Sequence, residues 1–187
     1  MKTAIIIHGL PSREEYYNPD RPAASNCHWL PWIQKQLLLK DILAQTPEMP
    51  VPYNPTYESW KEMLERFPIN EETILIGHSC GAGFIVRYLS ESKVRVGKVV
   101  LVAPWLDLEK FLTTGMFDFS INENLVEKTN GVTVFSSTND MASVQESINM
   151  IKTKVKNIKL VEFENYGHFS IKSMGTDAFP ELLNECI

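Results

Sequence analysis

The stretch Thr73-Ile74-Leu75-Ile76-Gly77-His78-Ser79-Cys80-Gly81 decides the fold. An apolar run leads directly into a Gly-x-Ser-x-Gly turn, and a segment of helical pattern, Ala82 to Leu89, follows it. This order predicts a strand, a tight turn and a helix, with the serine at the apex of the turn. Such a turn strains the serine backbone and projects the hydroxyl away from the sheet. Small residues at 77, 81 and 83 allow the strand and the helix to approach closely.

Short apolar runs alternate with longer stretches of helical periodicity along the rest of the chain. The predicted strands are Thr3–His8, Ile42–Thr46, Thr73–Gly77, Lys98–Ala103, Val132–Ser137 and Ile158–Phe163. The predicted helices are Trp32–Lys40, Tyr57–Phe67, Ala82–Ser90, Met141–Lys152 and Phe179–Glu185. Consecutive apolar residues within a strand are typical of a parallel sheet that helices cover on both faces. With right-handed crossovers, the pattern predicts an α/β fold with an open, doubly wound sheet of about six parallel strands.

Composition limits the classes of protein that this chain can represent. Its 187 residues, 44% of them hydrophobic, predict one domain over residues 1–187. The net charge of −5 without a basic block argues against a nucleic-acid partner, and no apolar run is long enough for a membrane span. The apolar N-terminal run ends at His8-Gly9 and is interpreted as a buried strand rather than a signal peptide. Three cysteines without a C-x-x-C pair favour a reducing compartment, the cytoplasm.

The serine at the turn needs a base to take its proton and a third group to orient that base. At a strand–helix turn these partners follow the serine in the order acid, then histidine. Of the four histidines, only His168 comes after Ser79, and it lies just beyond the last predicted strand. Functional groups of doubly wound sheets gather at such strand ends. His168 is therefore the candidate base, and an exposed loop histidine without a catalytic role is the alternative.

Three aspartates lie between Ser79 and His168, and any of them could orient the base. Asp140 is favoured because it follows the predicted strand Val132–Ser137 almost immediately. Asp107 is the second candidate. Whether Asp118 can reach the base depends on how its long loop folds. Helix capping by Asn139 or Asp140 is the structural alternative, and both roles could coexist.

Backbone N–H groups are the expected donors to the negative charge that develops on a carbonyl oxygen during acyl transfer. One should belong to Cys80, directly after the nucleophile, and the other to Leu10, in the loop after the first strand. The Cys80 thiol is expected to pack under the helix. His78 is too close to Ser79 in sequence to act as its base, so packing or a hydrogen bond is expected of it.

Two connections, residues 10–31 and 105–131, are too long to be plain turns. They carry the aromatic residues Trp29, Trp105 and Phe117, which are candidates for the wall of an apolar substrate pocket. The alternative is that these aromatic side chains cap the core as small satellite clusters.

The chain resembles the small serine hydrolases grouped with retinoblastoma-binding protein nine and bacterial YdeN-like proteins. The resemblance runs nearly end to end, and its segments include His8-Gly9, His28-Trp29-Leu30-Pro31-Trp32, Gly77–Gly81, Asn139-Asp140 and Gly167-His168-Phe169. It implies a compact α/β-hydrolase fold without a separate cap domain. By position, the family's nucleophile, acid and base fall on Ser79, Asp140 and His168. Met141-Ala142-Ser143 departs from the family's more proline-bearing turn, which could alter how Asp140 is held.

The expected function is a serine hydrolase that cleaves a small carboxylic ester, or alternatively an amide or thioester, through an acyl-enzyme on Ser79. Its partner would be a small-molecule acyl substrate, and neither a metal nor an organic cofactor is implied, since metal-binding and phosphate-loop motifs are absent. The alternative is a non-catalytic protein-interaction module on the same fold. A Leu-x-Cys-x-Glu segment does not occur, which argues against a retinoblastoma-type binding role.

Overall fold

The computed structural model describes residues 1–187 and contains one six-stranded sheet in which every strand pairing is parallel. The strands are β1 (Thr3–Ile7), β2 (Leu43–Gln45), β3 (Thr73–His78), β4 (Val99–Val102), β5 (Val132–Ser137) and β6 (Lys159–Phe163). Their order across the sheet is β2-β1-β3-β4-β5-β6. The chain moves outward from β1 to β2 and then crosses back to β3, so the topological switch point lies between β1 and β3. The predicted fold class is confirmed.

The burial of a strand follows its position in the sheet, central or at the edge. All six residues of β3 are buried, as the continuous apolar run predicts for a central strand. In β2 only the middle residue is buried, and this short strand lies at one edge of the sheet. One hydrophobic cluster of 45 buried residues spans the whole chain.

Seven helices connect and flank the strands. They are α1 (Arg13–Tyr17), α2 (Leu30–Leu38), α3 (Tyr57–Leu64), α4 (Cys80–Glu91), α5 (Ala142–Lys154), α6 (Ile171–Met174) and α7 (Pro180–Cys186). Since the chain reverses its direction of travel across the sheet after β2, right-handed crossovers place α2 and α3 on opposite faces. None of the seven has both the length and the apolar composition that a membrane-spanning helix requires.

Two short helices, α1 and α6, were not predicted from sequence. Each is begun by a reciprocal cap, formed by Ser12 with Glu15 and by Ser170 with Ser173. Helix α2 begins two residues earlier than predicted, with Pro31 in its first turn, where a proline needs no backbone hydrogen to donate. Helix α1 divides the long connection 10–31 and brings Glu15 toward the carboxyl edge of the sheet.

The second long connection, residues 105–131, is tied to α4 by a buried arginine. The Arg87 Nη1 donates to the carbonyl oxygens of Gly115 at 2.6 Å and Met116 at 2.9 Å. The guanidinium also lies 3.8 Å from the centre of the Tyr57 ring. This segment is therefore a part of the single domain rather than a separate cap.

Candidate active site

Ser79 lies at the junction of β3 and α4 with a backbone φ of 54° and ψ of −117°. The turn is close-packed on both sides. A Cβ atom at Gly81 would lie 2.4 Å from the His8 carbonyl oxygen, and one at Gly77 would lie 2.5 Å from the Ala82 Cα. The Ser79 N–H donates to the Val102 carbonyl oxygen at 2.9 Å, which ties the turn to β4. The predicted strand–turn–helix geometry is thus present, and no side chain larger than hydrogen fits at these two glycines.

The loop after β6 brings His168 to the turn. His168 Nε2 lies 2.9 Å from the Ser79 Oγ, and His168 Nδ1 lies 2.9 Å from the Asp140 Oδ1 and 3.2 Å from its Oδ2. A carboxylate only accepts hydrogen bonds, so Nδ1 carries the hydrogen and Nε2 is left to accept from the serine hydroxyl. The Asp140 side chain is fully buried, whereas that of His168 is 27% exposed. The structure therefore brings together the three side chains that the sequence singled out.

The turn after β5 holds Asp140 through bonds to its own backbone and to the loop of His168. Asp140 Oδ1 also accepts from the Met141 N–H at 2.7 Å, and Asn139 Oδ1 accepts from the Gly167 N–H at 2.8 Å. Helix α5 begins only at Ala142 and has no side-chain cap, so the alternative that Asn139 or Asp140 caps this helix is wrong. Asn139 instead joins the two loops that carry Asp140 and His168.

The other two aspartates make no bond to His168. Asp107 accepts from the Phe111 N–H at 2.7 Å and from the Leu112 N–H at 2.8 Å, and so closes its own turn. Asp118 packs near Gly115 in the same connection.

The two expected N–H donors lie in the loop after β1 and at the start of α4, and Leu10 lines the cleft beside Ser79. The Leu10 N–H donates to no protein acceptor. Cys80 is the first residue of α4, where an N–H has no partner within the helix. The Cys80 thiol is buried as predicted, and that burial raises its pKa, so the thiol stays protonated.

Sequence reasoning did not assign a role to His8, which fixes the strand end before Leu10. His8 Nδ1 donates to the Gly9 carbonyl oxygen at 2.7 Å, and Nε2 accepts from the Met49 N–H at 2.9 Å. Burial lowers the pKa of His8, so the ring is neutral and can both donate and accept. No sequence pattern links His8 to Met49, which is 41 residues away and meets the imidazole only in the folded chain.

A cleft with a volume of about 150 Å³ opens beside Ser79 and His168. Segment 8–30 forms most of its wall, including the Glu15–Arg21 ion pair, in which Nη1 and Oε1 are 2.7 Å apart. His28, His78 and Cys27 also line it, and only four of its 14 lining residues are hydrophobic. No group of three or more His, Cys, Asp or Glu side chains is arranged to hold a metal ion.

The aromatic residues proposed for a pocket wall do not line this cleft. Trp29 is fully buried and packs edge-on against His78 and Phe179. Trp105 and Phe117 pack against each other with ring centres 5.8 Å apart. Large aromatic side chains gain most when they are removed from water, which favours packing against the core over an open wall. The wall of the cleft is therefore formed by side chains other than these three aromatic residues.

Known proteins resemble this chain in both sequence and structure. The sequence profile described as serine hydrolase matches residues 19–185. YdeN of Bacillus subtilis (strain 168) is 30% identical over 178 residues, which cover 90% of this chain and 86% of YdeN. The crystal structure of the B. subtilis ydeN gene product superposes with a TM-score of 0.80 at 23% identity, covering 98% of this chain and 96% of that one. The methylesterase protein MES16 from Arabidopsis shares the fold, with a TM-score of 0.65, 12% identity and 98% coverage of each chain.

Proposed function

The chain belongs to the serine hydrolase family, and from this premise we propose that it cleaves a small carboxylic ester through an acyl-enzyme on Ser79. The observation that carries the proposal is the unbroken chain of hydrogen bonds from Ser79 Oγ through His168 to Asp140. Family membership supports hydrolysis as the chemistry. The assignment of nucleophile, base and acid to these three residues rests on the distances between their side chains.

In the first half of the reaction, His168 Nε2 takes the proton of the Ser79 hydroxyl as Oγ bonds to the ester carbonyl carbon. Asp140 accepts the Nδ1–H throughout and stabilises the imidazolium that forms. The tetrahedral intermediate then collapses, the bond to the alcohol oxygen breaks, and His168 returns its proton to that oxygen. In the second half, a water molecule repeats the sequence on the acyl-enzyme and releases the carboxylic acid, leaving Ser79 free.

The oxyanion of each tetrahedral intermediate would be stabilised by the N–H groups of Leu10 and Cys80. Both belong to rigid parts of the site, since His8 bonds fix the end of β1 and α4 begins at Cys80. Donors that need no rearrangement stabilise developing charge most effectively, and one such donor is worth about 10²–10³-fold in rate.

The size of the cleft favours a small substrate. Its volume of about 150 Å³ is below the roughly 300–1,000 Å³ of pockets that enclose drug-sized ligands. An ester is favoured over an amide because it needs less assistance to its leaving group, and the fold is shared with a protein named as a methylesterase. Amides and thioesters are the alternative substrates, and they follow the same steps with a different leaving group.

Turnover of short-chain nitrophenyl esters tests the proposal. The wild-type protein should hydrolyse acetate and butyrate esters faster than the octanoate ester, and Ser79→Ala should lower kcat by a factor on the order of 10⁶. Ser92→Ala is the matched control, because it removes a serine at the other end of α4 whose hydroxyl has no hydrogen-bond partner. Unchanged turnover in Ser79→Ala would place the nucleophile elsewhere. A folded wild-type protein without turnover of any ester, amide or thioester would favour the interaction module.

A further inference from the structure

His78, the residue directly before Ser79, holds the backbone of His168. The His78 Nε2 lies 2.9 Å from the carbonyl oxygen of His168, a contact between residues that are 90 positions apart. The two imidazole rings lie side by side with centres 5.1 Å apart. His78 is 3% exposed, and its ring is packed edge-on by both His28 and Trp29 at 5.6 Å. The ring is therefore locked in place by its neighbours on several sides.

The partner of His78 fixes its tautomer. A carbonyl oxygen only accepts hydrogen bonds, so the hydrogen of the neutral ring must be on Nε2. Burial lowers the pKa of His78 well below its usual 6.5, and the nearby His168 and His28 lower it further. His78 is thus a neutral, single-hydrogen donor under the conditions in which His168 acts as a base.

The loop that carries His168 needs such an anchor. Asn165, Gly167 and Phe169 all have positive φ angles, of 61°, 53° and 51°. The conformation costs little at the asparagine and the glycine but is strained at Phe169, directly after His168. The buried ring of Phe169 and the hydrogen bond that the Gly167 N–H donates to Asn139 Oδ1 hold its flanks. At His168 itself, the bond from His78 is the one that holds the backbone carbonyl.

We propose that His78 is a positioning residue, which sets the separation of Ser79 Oγ and His168 Nε2 by fixing the His168 carbonyl. Two adjacent residues of one rigid turn hold His168 at two points, Ser79 at the ring and His78 at the backbone. Any shift of the His168 loop away from the turn must break the His78 bond first. The inference rests on the proposed function, because the separation matters only when His168 takes the serine proton.

Paired substitutions test the role. A shift of about 1 Å at a reacting group can cost about 10²-fold in rate, so His78→Leu, which fills the site without a donor, should lower kcat about 10–100-fold. KM should stay within about twofold, since the loss falls on the proton transfer rather than on binding. His78→Gln carries an amide N–H at a similar reach to Nε2 and should recover kcat to within about threefold of wild type. Equal kcat in His78→Leu and wild type, or equal loss in both variants, would overturn the role.

A second measurement decides the inference independently of turnover. In ¹⁵N-histidine NMR spectra of the wild-type protein, His78 should show a neutral ring with hydrogen on Nε2. The His168 signals should shift further in His78→Leu than in His78→Gln, since both variants lose the neighbouring ring but only His78→Leu loses the donor. A His78 ring with hydrogen on Nδ1, or His168 signals that shift equally in the two variants or in neither, would overturn the inference. If the wild-type protein turns over neither esters nor amides, the proposed function fails. The NMR measurement still tests whether His78 holds the His168 backbone.

Discussion

Ser79 occupies a backbone conformation that a non-glycine residue rarely adopts, at a cost of about 1–3 kcal/mol. The surrounding structure holds it there. Its N–H bonds to Val102, and its carbonyl oxygen accepts from the N–H groups of Gly83 and Trp105. In this strained conformation the Ser79 Oγ lies 2.9 Å from His168 Nε2. The serine is thus aligned before a substrate arrives.

The proposed role of Asp140 as the acid can be tested by replacing one oxygen of its carboxylate with an amide nitrogen. Asp140→Asn keeps the shape of the side chain but offers an amide that no longer stabilises the Nδ1–H tautomer or the imidazolium of His168. We expect kcat to fall by about 10⁴-fold in steady-state ester assays.

Asp107→Asn is the control for this change. It alters a carboxylate that serves only the Phe111 and Leu112 N–H groups, so turnover should be nearly intact and unfolding free energy should fall by about 1 kcal/mol. If Asp107→Asn abolished turnover and Asp140→Asn did not, the acid would be Asp107.

The residues of the site were more predictable than its walls. Ser79 and His168 follow from a sequence motif and from chain order, both of which reflect the topology of the sheet. The wall of the cleft does not, because α1 and the Glu15–Arg21 ion pair depend on a cap at Ser12 and on contacts between distant segments. The three aromatic residues proposed for a pocket wall do not line the cleft beside Ser79, and Trp29 is buried in the core.

At the scale of elements, the helix α4 organises both the turn and the connection 105–131. Its first turn carries Cys80 and Gly81, and its third carries Arg87, whose side chain reaches two carbonyl oxygens of that connection. A segment of this length with few hydrogen bonds to a strand or helix needs such an anchor to stay ordered. One helix therefore begins at the proposed nucleophile and holds a neighbouring loop.

Arg87→Met tests whether Arg87 holds the connection 105–131, because methionine keeps most of the packing against Tyr57 but removes the N–H donors of the guanidinium. The carbonyl groups of Gly115 and Met116 would lose their partner, and we expect the unfolding free energy in urea to fall by about 2–4 kcal/mol. Limited proteolysis should cut within residues 105–131 earlier than in wild type.

Arg66→Met serves as the comparison for this variant. Arg66 makes an exposed ion pair with Glu62 on the helical i, i+4 spacing, so its loss should change stability by less than about 0.5 kcal/mol. Equal stability of the two variants would mean that Arg87 does not anchor the connection.

At the scale of the whole molecule, the buried histidines predict a loss of stability in mild acid. Burial lowers the pKa values of His8 and His78 below their usual 6.5, so the folded protein keeps both rings neutral while the unfolded chain protonates them. The two neutral rings contribute fully to the free energy of unfolding above pH 6.5. As the pH falls below 6.5, this free energy decreases by up to about 1.4 kcal/mol per pH unit for each ring.

Urea unfolding between pH 5 and pH 8 measures this dependence. The wild-type midpoint should fall from pH 7 to pH 5, and His78→Gln should show a shallower fall because one titrating group is gone. A midpoint that rises or stays constant toward pH 5 would contradict the buried, neutral state of these histidines.

The fold as a whole was the most predictable feature. Consecutive apolar residues in β3 and β4 specify a parallel sheet because both faces must be buried, and five alternating helices leave few topologies open. The starts of α2 and α4 and the short helices α1 and α6 were missed, because caps and close packing decide them rather than periodicity.

The central claim is that Ser79 is a nucleophile activated by His168, and covalent labelling with a fluorophosphonate tests it most directly. Intact-mass and peptide analysis of the wild-type protein should show one adduct, on the peptide that contains Ser79. Heating before labelling, Ser79→Ala or His168→Gln should abolish or strongly slow it. Absence of an adduct on correctly folded protein, or an adduct on a different serine, would contradict the account.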